Sequence, residues 1–304
     1  MAISRTQLVK ELEPGLNALF GLEYKRYENQ HAEIYTTESS DRAFEEEVML
    51  SGFANAQTKA EGQGVSFDSA QETYTARYTH DTIALAFAIT EEAIEDNLYD
   101  RIASRYTKAL ARSMSNAKQV KAVTPLNNGL SSVATFNAGD GVSLFSTNHT
   151  TISGTAVKNT LTTQADLNET SLEQGLIDIA GMTDERGLRV AARGVKMIIP
   201  SANQFNAERL MKSPGRTGTA DNDINAVVSM GMVPQGYRVN NFLTDTDSWY
   251  IITDVPNGMK MFQRAALKTA MEGDFDTGNV RYKARERYSF GVSDYRGIFG
   301  VEGA

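Results

Sequence analysis

The sequence predicts an α+β fold in which a long helix lies across a narrow sheet and a compact α/β lobe is inserted into that elongated element. Three stretches carry the prediction. Residues 90–121 repeat Ile94, Leu98, Ile102, Tyr106, Leu110 and Met114 at every fourth position, a spacing that keeps neighbours on adjoining turns of a helix. Residues 280–292 put Val280, Tyr282, Ala284, Tyr288, Phe290 and Val292 on one strand face and Arg281, Lys283, Arg285 and Arg287 on the other. Residues 126–264 between them alternate loops, short strands and helices, the texture of an α/β lobe.

At the N-terminus, Leu8, Leu12, Leu16 and Leu19 form a short apolar stripe that Pro14 and Gly15 are expected to break. The piece reads equally as a helix packed on its own domain or as an arm docked on a neighbouring subunit. Residues 24–53 are polar and acidic, and Glu45, Glu46 and Glu47 read first as a solvated face. Residues 51–71 are rich in Gly, Ala, Ser and Gln and have little to bury, so they form a functional loop or one that a partner orders. Gly62-Gln63-Gly64 lacks the third glycine, Lys and Ser/Thr of a phosphate loop.

Residues 72–89 alternate as one long strand or two in series, feeding straight into the long helix. Thr90 caps that helix, Glu91 and Glu92 complement its positive end, Lys118 and Lys121 its negative end, and Pro125 is expected to stop it. At roughly 1.5 Å per residue the rod is about 45 Å long. Residues 166–182 form a further helix, VKMIIP a buried strand, and SANQFNAERLMKS a helix capped by Ser201, with strands at 237–253 and 259–263. The strand 280–292, about 40 Å long, pairs with the earlier strand and packs its apolar face under the rod. Its four cations repel one another unless something acidic covers them, either the acidic segment before Val48 or an adjoining subunit.

The chain has 304 residues, 41% hydrophobic and 22% charged, which suits an ordinary folded protein with a sizeable core. A net charge of −8 argues against a sequence-independent nucleic-acid binder. The absence of cysteine excludes disulfides, thiolate metal sites and cysteine nucleophiles. No apolar run reaches membrane-span length and the N-terminus lacks a signal-peptide core, so synthesis in a cytoplasm is expected.

Candidate chemistry is sparse. His31, His80 and His149 lie in separate segments without metal-ligand spacing. Asp221-Asn222-Asp223 begins like a calcium loop, but Ala226 holds the place of its glycine. Asp245 and Asp247, ahead of Trp249, are better explained by a turn than by a cation, and Asp184-Glu185-Arg186 by a charged turn. No catalytic, cofactor-binding or metal-binding residue is assigned, and the chain is not expected to be an enzyme.

The order of these pieces resembles the major capsid protein of tailed bacteriophages, the Hong Kong-97-type capsid fold. The segments most similar to that family are AFAITEEAIEDN, TDERGLRVAARGVKMIIPSANQFNAERLMKS, FLTDTDSWYII and RYKARERYSFGVSDYRGIFG. The resemblance implies an N-terminal arm and lead-in (1–44) and an extended loop (45–78). It also implies a peripheral domain (79–125 and 265–293) with the spine helix 90–121 and the long strand 280–292, and an axial domain (126–264 and 294–304). It further implies self-association into the pentamers and hexamers of an icosahedral shell enclosing double-stranded DNA, without sequence-specific binding and without a membrane. Scaffolding, portal and possible decoration proteins are implied partners, the virion the implied location and the host cytoplasm the implied place of assembly. The arm begins at once, which implies a separate scaffolding protein or a chain already cleaved. The expected inter-subunit contacts are Lys59, Glu45, Glu46, Glu47, Arg281, Lys283, Arg285, Arg287 and Asn279. Some members of the family join Lys to Asn covalently, and Lys59 and Asn279 are the residues to consider here, although a solvated lysine is the plainer reading. An encapsulin-like compartment shell shares the fold and is the alternative; a cytoplasmic hydrolase is a more distant one.

Overall fold

A computed structural model describes residues 5–90, 92–93, 99–131, 138–215, 223–274 and 278–304. The elements are α1 (Arg5–Arg26), β1 (Thr36–Ser39), β2 (Phe44–Leu50), β3 (Glu72–Thr79), β4 (Asp81–Ile89) and α2 (Tyr99–Asn127). They continue with β5 (His149–Thr150), β6 (Ala156–Val157), α3 (Glu169–Ala180), β7 (Gly194–Ile199), α4 (Gln204–Lys212) and α5 (Ala226–Ser229). The chain closes with β8 (Tyr237–Val239), β9 (Trp249–Thr253), β10 (Met259–Gly273), β11 (Val280–Val292) and β12 (Ile298–Val301).

The long helix α2 runs through the expected stop and ends two residues past Pro125. A proline forfeits one bond to the carbonyl four residues back. Here the fully buried Ala122 and Val123 and the nearly buried Leu126 hold the last turn in place. The same applies to α1, which continues through Pro14 and Gly15 instead of breaking. Leu16 and Phe20 anchor it against Ala103, Leu110, Ala111 and Met114 of α2 and Tyr282 and Ala284 of β11. Asn17 Oδ1 accepts from Thr269 Oγ1 (2.7 Å) and Tyr282 OH (2.8 Å), so α1 is docked on its own chain. Glu91, Ile94, Leu98 and the side chains of Leu8, Leu12 and Ile102 lie outside what the structure describes. Thr90 Oγ1 accepts from Ala93 N (3.4 Å), as its capping role requires. Tyr106, read as part of the apolar stripe, is 53% exposed. Steps of four advance about 40° around a helix of 3.6 residues per turn, so such a stripe drifts off the buried face.

Residues 72–89 make two strands in series. β4 pairs antiparallel with β11 (Ile89↔Val280 to Asp81↔Tyr288), as the alternation predicts. β3 leaves that sheet to form a two-stranded hairpin with β2. β10 is the larger surprise: only 259–263 reads as strand, yet it runs fifteen residues and pairs with β11 along its whole length. The rest of it, RAALKTAMEG, has Thr269 as its one strand-favouring residue, and tertiary pairing overrides the weak propensity. The elongated sheet has the order β1-β10-β11-β4.

The lobe holds a second sheet, β12-β9-β7-β8. Trp249, Phe299, Leu172, Ile179, Met197 and Ile199 form its core with α3 and α4. Asn168 caps α3 by accepting from Ser171 N (2.9 Å), and Ser171 Oγ accepts from Asn168 N in return. Ser201, expected to cap a helix, instead opens a 3-10 turn ahead of α4 and makes no capping bond.

Two charged groups, expected at a helix end and in a charged turn, are buried ion-pair partners. Lys118 lies on the buried face of α2 and meets the buried Glu286 of β11 at 3.4 Å. Tyr24 OH of α1 donates to the same carboxylate at 3.1 Å, tying three elements together. Glu185, placed in a charged turn, is buried and paired with Arg296 at 2.6 Å.

Candidate assembly surfaces

The hairpin β2–β3 is closed at its outer end by Ser51 N donating to Gln71 O (2.9 Å). Beyond that bond, residues 53–70 are exposed throughout. Phe67 is 94% exposed, and Phe53 and Val65 are also largely uncovered. The loop touches the body where Arg186 Nη2 donates to Ser69 O (2.5 Å). Lys59 sits on this loop in solvent. Apolar side chains left in water on a segment with no interior of their own mark a contact surface.

The acidic run at the hairpin root divides. Glu46 is exposed and lies 3.7 Å from Arg77 of β3, and Glu45 accepts from Ser40 Oγ at 2.7 Å. Glu47 turns inward: it accepts from Lys260 Nζ and from Ser293 Oγ, which also meets Tyr78 OH. Glu38 reaches Lys260 at 3.1 Å. Burial works against charge on Lys260, and its bonds to Glu47 and Glu38 outweigh this and raise its pKa. The solvated-face reading therefore fails at Glu47, whose carboxylate is spent on a cation 213 residues away in sequence.

The acidic run does not cover the cationic strand face. Arg281, Lys283 and Arg285 of β11 are exposed and Arg287 is half-buried. Arg281 reaches Asp274 at 2.5 Å across the β10–β11 turn. Lys268 of β10 stands beside Arg285, adding to the positive charge. On the other side β4 presents Thr82, Ala84, Ala86 and Ala88, all exposed, opposite Arg287, Arg285, Lys283 and Arg281. The result is a raised cationic ridge beside a floor of alanines that lets another backbone approach closely. Asn279 precedes this strand and its carbonyl accepts from Asp274 N (2.8 Å), holding the turn. Lys59 lies on the hairpin loop and Asn279 at the β10–β11 turn, and no contact in the described residues joins them.

His31, His80 and His149 are all buried. His149 is stacked on Tyr295 (3.9 Å between ring centres) and held by Asp140 at 2.6 Å. Trp249 is core, its Nε1 donating to Ala165 O (3.1 Å). Asp221 and Asn222 lie outside the described residues.

Asp245 and Asp247 form a turn in which Asp247 N donates to Asp245 Oδ1 (3.4 Å). Partial burial and the Asp247 carboxyl push the Asp245 pKa up to about 6, with Glu302 adding to the shift. A raised acid stabilises the fold fully below its unfolded value and loses that contribution as pH rises through about 6. Asp245→Asn is therefore expected to raise Tm at pH 8 and leave it unchanged at pH 4. Solvent screening keeps the effect below about 1 kcal/mol, or a few degrees by calorimetry. An equal shift at both pH values would contradict this origin.

Comparison with known proteins agrees with this architecture. The model of a family described as phage capsid protein matches residues 73–301. No curated protein sequence matches. Among solved structures, the chain is similar to the procapsid of bacteriophage JBD30 at 14% identity and TM-score 0.55, covering 99% of this chain and 77% of that one. It is similar to a virus-like particle from Pyrococcus furiosus at 9% identity and TM-score 0.54, covering 95% and 98%. The capsid of Myoviridae phage XM1 matches at 11% identity and TM-score 0.53, covering 89% of each chain.

Proposed function

This chain belongs to the phage capsid protein family and is a structural major capsid protein of the Hong Kong-97-type fold that self-associates into the capsid of a virion; we propose that its assembly runs through the exposed hairpin and the cationic ridge. The shell subunits are pentamers and hexamers of an icosahedral head enclosing double-stranded DNA, put together in the host cytoplasm with scaffolding, portal and any decoration proteins. Within each subunit, residues 1–44 serve as arm and lead-in and 45–78 as the extended loop. Residues 79–125 with 265–293 serve as the peripheral domain, and 126–264 with 294–304 as the axial domain at capsomer centres.

The observation that supports this most is the hairpin loop 53–70, whose Phe53, Val65 and Phe67 are left largely exposed among the described residues. Charge supports it too. Residues 44–79 carry six acidic side chains (Glu45, Glu46, Glu47, Glu61, Asp68, Glu72) against Lys59 and Arg77, a net of −4. Glu47 is already paired with Lys260 inside the chain, and the hairpin still keeps a negative balance; laying it over the positive ridge of the next copy satisfies both.

The test is assembly of purified chain followed by electron microscopy and size-exclusion chromatography. Megadalton shells or rings are expected, and a species that stays below about 150 kDa at all concentrations would overturn the reading. DNA in particles recovered from infected cells is expected; an enclosed enzyme instead of DNA would mark a cargo compartment. The triple variant Arg281→Glu, Lys283→Glu, Arg285→Glu is expected to keep its Tm within about 2 °C, since exposed charges contribute little to folding. It is expected to lose shell formation.

A further inference from the structure

The ridge ends on Arg287, and here the molecule leaves something unmet. Arg287 Nε is buried and makes no hydrogen bond, and the same is true of Arg264 Nε on β10. Arg264 falls in the irregular stretch where the β10–β11 register shifts between Gln263 and Ala265. Such a bulge re-aims the side chain it carries. Both guanidinium groups lie near enough to His80 to act on its charge. His80 is buried at the junction of β3 and β4, its Nε2 2.9 Å from Ser40 Oγ and its Nδ1 3.0 Å from Ser289 Oγ. Glu45 is the acidic group that faces this spot among the described residues, and it accepts from Ser40. Neither arginine has an ion pair among the described residues.

Two buried charge-bearing donors without acceptors are costly, and an oxyanion is the group that satisfies them, because guanidinium presents parallel N–H donors to two oxygens. A neutral hydroxyl or amide would leave the spot with excess positive charge, because Glu45 offsets only part of the two guanidinium charges.

We propose that Arg264 and Arg287, beside His80 at the root of the hairpin, form an oxyanion seat filled in the shell by a carboxylate from a second copy of the chain. This rests on the assembly reading for the source of the carboxylate, while the seat itself is measurable on one chain. The seat lies at the end of the ridge nearest the hairpin, so an acidic segment following the ridge arrives there last, and a buried bidentate pair then fixes its register.

The chain has only His31, His80 and His149, so selective isotope labelling of histidine gives three resonances, with His80→Gln assigning the one of interest. In unassembled full chain, sulfate titrated against sodium chloride at constant ionic strength is expected to displace the His80 resonance saturably. His31 and His149 should stay in place, which also reports that the variants fold. Arg264→Gln and Arg287→Gln should each abolish the displacement. No saturable displacement in the wild type, or an equal one in both variants, overturns the seat. In assembly reactions the two variants are expected to need about tenfold more protein to form shells, about 1.4 kcal/mol per contact, and sulfate should inhibit the wild type. If sulfate moves His80 but the variants assemble at wild-type concentration, the seat takes a free ion and the second-copy carboxylate is overturned. If the wild type forms no shells at all, the assembly reading fails while the sulfate result stands on its own.

Discussion

Replacing residues 53–70 by Asn-Gly is expected to abolish shell formation while leaving the isolated subunit as stable as before. Ser51 and Gln71 are already joined by a backbone bond, so a tight turn closes the same pair of strands. The excised side chains are exposed. Among the described residues the contacts given up are the bond from Arg186 to Ser69 and local bonds within the loop, such as Ala54 N to Asp68 (2.7 Å), Ser69 N to Asp68 (2.8 Å) and Gln63 N to Ala60 O (3.2 Å). Loop-closure entropy changes by less than about 2 kcal/mol for such a shortening, in the stabilising direction. The interface loses far more. Phe53, Val65 and Phe67 each contribute about 1.5–3 kcal/mol if a neighbour covers them fully, and each contact recurs at every subunit of a ring. The expected outcome is a monomer by sedimentation velocity with an unchanged or slightly raised Tm. Normal shells from the shortened chain would remove the hairpin from the assembly mechanism.

Arg296→Met is expected to be the most damaging single substitution in the body of the subunit, costing about 3–5 kcal/mol. The guanidinium is buried between Glu185 (2.6 Å) and Asp294 (3.2 Å), and its Nε donates to Thr183 O (2.8 Å). Burial opposes its charge, but Asp294 and Glu185 outweigh this and raise its pKa. Removing it strands two carboxylates in the interior. Asp294 is already raised by burial even with Arg296 beside it, and loses its main compensation. With Asp294 raised further in the folded state, stability is retained at low pH and lost as pH rises. The variant should therefore lie closer to the wild type at pH 5 than at pH 8 in urea denaturation of unassembled chain. A loss under about 1 kcal/mol at pH 8 would mean that the pair is screened like a surface bridge.

The candidate site was legible in part. The exposed loop, the cationic face of β11 and the pairing of β4 with β11 follow from composition and alternation over a few residues. Arg264 and Glu286 gave no local signal: one sits in a stretch that does not read as strand, the other on the strand face otherwise read as apolar. Glu47 was hidden for a different reason. Three identical residues in a row give no indication of which one turns inward until the pleat and Lys260 are in place.

The shell-forming class came from the resemblance of the order of elements to a known family, while by itself the sequence determined the periodic elements: the rod of α2, the two-faced strand β11 and the loop with nothing to bury. These are local or ordered properties, fixed by which side chains recur at 3.6- or 2-residue spacing. Only the tertiary structure decided that α1 runs unbroken through Pro14 onto its own chain, that β10 lines the whole of β11, and which charges meet. Lys118 and Glu286 are 168 residues apart, and Arg296 and Glu185 are 111 apart. Such partners are chosen by packing, because an ion buried alone is costly enough to dictate its neighbour whatever the intervening sequence says.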